Sequence, residues 1–91
     1  MIKMRLDKFL KVSRIIKRRP LAKEIAEQGR IKVNDQVAKP SVIIDVGDLI
    51  TIYFGQTTLT VKVLHVKEHV KKDEATTLYE VVREERVISA E

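Results

Sequence analysis

Residues 20–34, PLAKEIAEQGRIKVN, decide the fold of this chain. The first part of the stretch is amphipathic, because its apolar residues recur at helical spacing (Leu21, Ala22, Ile25 and Ala26). Pro20 suits only the first turn of a helix, and Gly29 suits the left-handed position that ends one. From Ile31 the apolar residues alternate with polar ones, as in a strand. The stretch therefore predicts a helix over residues 18–28 that leads directly into a β-strand.

A shorter helix is predicted before this stretch, over residues 7–12. The apolar residues that indicate it lie on one helical face: Leu6, Phe9 and Leu10. Asp7 suits either the N-cap or the first turn of this helix. Residues 13–17 then connect the two helices.

Short strands follow the helices. Asn34 and Asp35 indicate a tight turn that ends the strand at residues 31–33. Further strands are predicted at residues 36–38, 49–54, 57–66 and 78–82, with residues 49–54 and 57–66 forming a hairpin. Residues 67–76 are expected to be a loop or a helical turn, and residues 84–91 a loose tail. This order predicts an α+β fold in which two short N-terminal helices cover one side of a small, mostly antiparallel sheet.

Length and composition exclude several classes of protein. A chain of 91 residues suits one domain and leaves little room for a catalytic cleft, so we expect no enzymatic activity. The absence of cysteine excludes disulfides and thiolate metal sites, and we expect no cofactor. The longest apolar run, residues 49–54, is too short to span a membrane, and the charged N-terminus resembles no signal peptide. We expect a cytoplasmic monomer that does not bind membranes.

Positive charge is concentrated near the N-terminus. Residues 1–23 hold nine Lys and Arg residues against one acid, Asp7, although the net charge of the whole chain is only +5. Such an asymmetry indicates a polyanionic partner, whereas a merely solvated surface would gain nothing from so much self-repulsion. Three of these cations, Lys17, Arg18 and Arg19, stand where the second helix begins. A helix N-terminus attracts anions, so this arrangement favours a bound phosphate.

The candidate RNA-binding residues follow from this placement. They are Arg5, Lys8, Lys11, Arg14, Lys17, Arg18, Arg19, Lys23, Arg30 and Lys32. A solvated role fits Lys32 nearly as well, because it lies opposite the apolar face of its strand. The few aromatic residues follow the periodicity of the predicted core, so recognition of phosphates on a folded RNA is the favoured mode.

Several motifs, in a shared order and spacing, carry a resemblance to a known family. They are Arg5-Leu6-Asp7-x-x-Leu10, Ser13-Arg14, Ala22-x-x-Ile25-x-x-x-Gly29-x-Ile31-x-Val33-Asn34, Lys39-Pro40-Ser41 and Val46-Gly47-Asp48-x-Ile50. Over about residues 4–52 the chain resembles the S4 RNA-binding domain, which implies the S4-type (αL) fold. We accordingly assign residues 1–66 to an S4 domain and residues 67–91 to a short, β-rich C-terminal extension packed on it.

Within that family the chain resembles a narrower group, the heat-shock ribosome-binding S4 proteins and the RqcP-type ribosome-associated quality-control factors. This resemblance implies binding to rRNA and tRNA on large ribosomal subunits obstructed by peptidyl-tRNA. It also implies support for C-terminal alanine tailing of the stalled chain, with an alanine-tailing factor as a further partner. Arg5, Arg14 and Arg19 would lead the RNA contacts. The alternating charges of residues 83–86 favour the quality-control branch, because the longer heat-shock relatives have a basic extension.

Two other functions share some of these features. A DNA-binding helix-turn-helix protein would also have two helices and a basic face, although Glu24 and Glu27 would then face the DNA. An accessory RNA-binding subunit of an RNA-modifying enzyme would share the S4 domain. His65 and His69 match the H-x-x-E-H pattern of zinc proteases. His65 falls at the end of a predicted strand, however, and residues four apart in a strand lie too far apart to share a metal.

Overall fold

The computed structural model describes residues 3–86 and has the predicted α+β architecture. Two α-helices, seven strands and one 3₁₀ helix make up this part of the chain. In chain order they are β1 (Met4–Arg5), α1 (Leu6–Val12), α2 (Arg19–Glu27), β2 (Ile31–Val33), β3 (Gln36–Val37), β4 (Ile43–Ile44), β5 (Leu49–Tyr53), β6 (Thr57–Val63), the 3₁₀ helix (Lys72–Leu78) and β7 (Tyr79–Arg86).

Five strands form an antiparallel sheet in the order β3-β2-β5-β6-β7. The pairing sets Ile31 opposite Ile52 and Ile50 opposite Val61, so one face of the sheet is continuously apolar. Lys32 and Thr51 are also paired, and they point to the other face because side chains alternate along a strand.

Both helices pack on the apolar face of this sheet. The core is formed by residues whose side chains are almost completely buried, chiefly Leu6, Phe9, Leu10, Ala22, Ala26, Ile31, Ile50, Ile52, Val61 and Val63. The small side chains that α2 contributes allow its backbone to lie close to its neighbours. Because the apolar sides of the helices face the core, their charged side chains remain on the outside.

A second, two-stranded sheet was absent from the prediction. Met4 of β1 pairs with Ile44 of β4, and the neighbouring Leu6 amide donates to the Val42 carbonyl at 2.7 Å. Each strand has only two residues, too few to show a period of two. This small sheet nevertheless fixes the N-terminal segment against the loop before β4.

The turns have the backbone that their residues predict. Gly29 follows α2 in the left-handed region, with φ of 78°, as expected for a helix C-terminus. Asn34 and Asp35 both have positive φ, 52° and 69°, which is the pattern of the hairpin turn called type I′. The Asn34 side chain also accepts the Leu49 amide at 3.0 Å, which ties this turn to β5.

Of the two positions predicted for Asp7, it occupies the first turn of α1, and Arg5 is the N-cap. Several predicted boundaries were wrong. The first and second helices each begin one residue away from the predicted position, β5 ends at Tyr53, and β6 ends at Val63. The last strand runs to Arg86, so the first part of the predicted loose tail is a strand; residues 87–91 lie outside the described residues.

The C-terminal part of the described chain is joined to the rest by β7. This strand pairs with β6 along its length, with a bulge beside Thr60 and Val61. Its charge-alternating half shows no apolar periodicity, because it lies at the edge of the sheet with its residues exposed. Leu78, just before β7, is fully buried in the core. A domain boundary at residue 66 stays a prediction.

Within residues 3–86 no helix has the length and apolar character needed to cross a bilayer. The same residues contain no group of three His, Cys, Asp or Glu side chains that could hold a metal ion. His65 and His69 lie in the irregular segment after β6, not on a helix.

Candidate RNA-binding surface

The cations predicted to bind RNA are all at least partly exposed. The eight on the N-terminal segment, the two helices and their connection lie around the outer side of α1 and α2, because the apolar sides of these helices face the core. The structure brings six of these eight together in two places. One surrounds Asp7, and the other lies at the C-terminal end of α1.

Asp7 is a buried carboxylate that holds two arginines in place. Its side chain is only 3% exposed, whereas those of Arg5 and Arg19 are 46% and 43% exposed. The Arg5 guanidinium donates to one carboxylate oxygen at 3.1 Å, and the Arg19 guanidinium donates to the other at 3.4 Å. The Lys8 amide donates to the oxygen that Arg19 contacts, at 2.8 Å. One acid therefore orients two cations from different elements while leaving their outer edges in solvent.

This role of Asp7 was missed by sequence reasoning, which interpreted the residue only as a helix cap or first-turn acid. The backbone explains why the carboxylate is in this position. The Asp7 amide donates to the Pro40 carbonyl at 3.2 Å, so the first turn of α1 is held against the loop before β4. Arg19 lies twelve residues further along the chain, and no local pattern links it to Asp7.

Beside this arginine pair the surface is concave. A groove of about 380 Å³ is lined by Arg5, Asp7, Arg19, Pro20 and Lys23, and we call it the arginine groove. A neighbouring depression of about 490 Å³ shares Arg5 and Lys23 with it and adds Lys39. The two concavities therefore adjoin at Arg5 and Lys23.

The N-terminus of α2 opens onto this region without a capping side chain. Arg18 is the N-cap, with extended backbone, and it makes no side-chain cap hydrogen bond. The first turn contains no acidic residue, and Pro20 stands near its start. Helix N-termini attract anions, and here the surrounding side chains add positive charge to the amide dipoles. The arrangement suits a phosphate group better than it suits an isolated helix.

Two predicted contacts lie apart from the helices. Lys32 points to the sheet face away from α1 and α2, with its ammonium nitrogen 5.7 Å from the centre of the Tyr53 ring. The Arg30 guanidinium donates to the Gln28 side chain at 3.5 Å and lies near Gly55 in the β5–β6 turn. The structure therefore does not bring these two residues together with the arginine groove.

Lys8 makes the longest-range ion pair in the described part of the chain. Its ammonium group donates to the Glu68 carboxylate at 3.0 Å, across sixty residues of sequence. This hydrogen bond, together with the charge of Lys8, holds the pKa of the Glu68 carboxyl below its usual range. The pair attaches the segment after β6 to the outer side of α1.

The S4 domain model matches residues 4–50, which include all ten predicted RNA contacts. The chain belongs to the S4 domain family. Among relatives with this S4 domain, the RQC P-site tRNA stabilizing factor of Halalkalibacterium halodurans is 59% identical over 88 residues, which cover 97% of this chain and 100% of the relative. The Bacillus subtilis protein of the same name is 54% identical and covers 92% of this chain and 98% of its own length.

A solved structure agrees with the S4 assignment. The trimeric structure of Vibrio cholerae Heat Shock Protein 15 matches with a TM-score of 0.82 at 33% identity, over 89% of this chain and 83% of that chain. The match therefore extends well beyond the S4 domain span itself. The predicted resemblance to the S4 family is confirmed, and similar proteins are found in both of its predicted groups, the quality-control factors and the heat-shock proteins.

Arg14 has a strained backbone in this S4 domain. It follows the C-cap of α1 with φ of 63°, a region that L-residues other than Asn and Asp seldom adopt. Its amide donates to the Lys11 carbonyl at 3.0 Å, and glycine is the usual residue at such a position. Strain of this kind is concentrated at functional sites, and the Arg14 side chain is exposed.

Replacing Arg14 with glycine is expected to separate stability from binding. Glycine relieves about 1 kcal/mol of strain, partly offset by its greater freedom in the unfolded chain. The free energy of unfolding, measured in urea, should therefore stay unchanged or rise by up to about 1 kcal/mol, while binding to structured RNA weakens several-fold. Arg14→Ala is the matched control: it should bind as weakly and be less stable than the glycine variant. A glycine variant that is the less stable of the two would contradict the strain argument.

Proposed function

We propose that this protein is a non-catalytic RNA-binding factor in ribosome-associated quality control. It binds rRNA and tRNA on large ribosomal subunits obstructed by peptidyl-tRNA and holds that tRNA in place. In this role it supports C-terminal alanine tailing of the stalled chain by a partner factor. It acts in the cytoplasm.

The observation that carries the proposal is the Asp7-held pair of Arg5 and Arg19 beside an uncapped helix N-terminus. This phosphate-binding arrangement lies in a chain with 59% identity to an RQC P-site tRNA stabilizing factor. Guanidinium groups held in a fixed orientation make the strongest phosphate contacts, because they donate two parallel hydrogen bonds. Recognition through phosphates and shape suits structured RNA, whose bases are mostly paired.

Different cations take different parts in the proposed contact. Arg5, Arg14 and Arg19 make the leading phosphate contacts, and the lysines and arginine around them extend the surface: Lys8, Lys11, Lys17, Arg18 and Lys23. Arg30 and Lys32 lie apart from this surface and would meet RNA only at its edge.

Membership of the S4 family supports RNA binding over the helix-turn-helix alternative. Glu24 and Glu27 are both exposed on α2. If α2 lay in a DNA groove, these two carboxylates would face the negatively charged DNA. The accessory-subunit alternative shares the same RNA-binding surface and differs only in its partner.

Sedimentation of the tagged protein through a sucrose gradient tests the proposed function. Wild type is expected to travel with large subunits that carry tRNA, and Arg19→Ala is expected to remain near the top of the gradient. Arg83→Ala is the matched control. It removes the same charge from exposed strand β7, where Arg83 pairs with Glu85, and it should sediment as wild type does. Circular dichroism would verify that all three proteins are folded.

The salt dependence adds a second measurement to this test. Each lost phosphate contact should reduce the slope of log affinity against log salt by roughly 0.7–0.9. Wild type that stays at the top in low salt would exclude the ribosome as the target. Recovery with a single modifying enzyme would instead favour the accessory-subunit alternative.

A further inference from the structure

A second basic concavity lies at the other end of α1. It is a cleft of about 670 Å³ between the turn that ends α1 and the segment that follows β6. We call it the basic cleft. Its cations are Lys11, Arg14 and Lys17 on one side and Lys72, the first residue of the 3₁₀ helix, on the other. The arginine groove shares none of these residues.

The charge of the basic cleft is not balanced by neighbouring acids. Glu68 is the one carboxylate in its lining, and it is already hydrogen-bonded to Lys8. Between residues 3 and 86, none of the four cations of the cleft forms an ion pair with a carboxylate. The Lys8–Glu68 pair also holds the far wall in place, since it joins the segment after β6 to α1. Four unpaired cations facing a common space favour an anionic ligand.

The rest of the lining is not that of a simple phosphate site. Val12 and Val70 are partly buried against the core and contribute apolar surface, and the exposed His69 adds an imidazole ring. Unpaired bases bind by stacking on flat rings such as imidazole and by apolar contact, while their phosphates bind cations. The volume of the basic cleft is within the range of pockets that bind small ligands. A cleft of this size is much too small for an RNA duplex.

We infer that the basic cleft binds one or a few unpaired nucleotides of an RNA strand. Arg14, Lys17 and Lys72 contact the phosphates, and the base lies against His69 and the two valines. The C-terminal extension is then part of the RNA-binding surface, in addition to packing on the S4 domain. The inference rests on the proposed function, because the strand would belong to the same RNA that the arginine groove holds through its phosphates.

Binding to two fluorescent RNA probes tests this inference. One probe is a single-stranded decamer of mixed sequence, and the other is a fully paired duplex of the same length; fluorescence anisotropy at low salt gives both affinities. His69→Ala should weaken binding of the single strand at least fivefold and leave binding of the duplex within twofold of wild type. Lys72→Gln should weaken single-strand binding at least threefold and reduce its salt slope by about 0.7.

Lys62→Gln is the matched control for Lys72→Gln. Lys62 is exposed on β6, outside the lining of the cleft, and its replacement changes the net charge equally. Its affinity for both probes should stay within twofold of wild type. Thermal unfolding of each variant would verify that the cleft walls remain folded.

The outcomes separate this inference from the proposed function. Unchanged single-strand binding by His69→Ala and Lys72→Gln, equal losses for both probes in His69→Ala, or no binding of the single strand by wild type would each overturn the inference. None of these results would alter co-sedimentation of wild type with large subunits. Conversely, cleft-dependent binding of the single strand by a protein that never sediments with ribosomes would support the cleft and refute the proposed function.

Discussion

Asp7→Asn is expected to weaken binding to large ribosomal subunits about tenfold, although it raises the net charge of the chain from +5 to +6. If charge alone governed binding, the variant would bind RNA more tightly. The geometry predicts the opposite, because the Asp7 carboxylate holds Arg5 and Arg19 side by side. Without it, both long side chains must be ordered at the moment of binding, and that entropy opposes the contact.

The same change should lower stability. Hydrogen bonds to a charged acceptor contribute more than neutral ones, but both arginines are nearly half exposed, so solvent reduces the effect. We expect a loss of about 1–2 kcal/mol in the free energy of unfolding. For a domain of this size that corresponds to a fall in Tm of roughly 4–16 °C. Binding should accordingly be measured well below the new Tm.

Asp35→Asn is the matched control for this prediction. It makes the same change in net charge at an exposed turn outside the lining of the arginine groove. Asp35 has φ of 69°, which asparagine adopts readily, so the fold should tolerate the change. Its affinity for large subunits should be at least that of wild type. Equal or tighter binding by Asp7→Asn would mean that net charge, not the oriented pair, determines affinity.

Phe9→Ala is expected to produce the largest loss of stability. Phe9, on α1, is fully buried in the hydrophobic core. Removing such a side chain leaves a cavity and typically destabilises a protein by about 3–5 kcal/mol. A domain of this length has only roughly 5–14 kcal/mol of total stability. The variant should therefore unfold at a much lower urea concentration, and a substantial fraction should be unfolded at 37 °C.

The RNA-binding surface should be lost together with the fold in this variant. Lys8 and Lys11 flank Phe9 on α1, and Arg14 lies at the end of that helix, so all three depend on its packing. Phe54→Ala is the control, because that ring is 40% exposed after β5 and its removal leaves no comparable cavity. We expect its urea midpoint to lie close to that of wild type. Similar midpoints for the two variants would show that α1 is not anchored through Phe9.

Local patterns were sufficient to predict most of the fold. The spacing of apolar residues around Phe9 and around Ala22 predicts helices, since residues three or four positions apart lie on the same helical face. Gly29 marks the end of α2, and the Asn34-Asp35 pair marks a hairpin turn. The concentration of cations near the N-terminus, and the motifs of the S4 domain, are likewise properties of nearby residues. Each of these signals extends over a few positions only, and so it can be read along the chain.

The contacts that shape the candidate sites could not be predicted in this way. Asp7 meets Arg19, Lys8 meets Glu68, and Arg14 faces Lys72 only after the helices have packed on the sheet. β1 and β4 are too short to have a period, and the charged half of β7 is a strand only because β6 offers it a partner. Local preference thus determined which elements form. Packing between distant segments decided which charges are neutralised and which remain free to meet RNA, because such pairing depends on distances in space rather than along the chain.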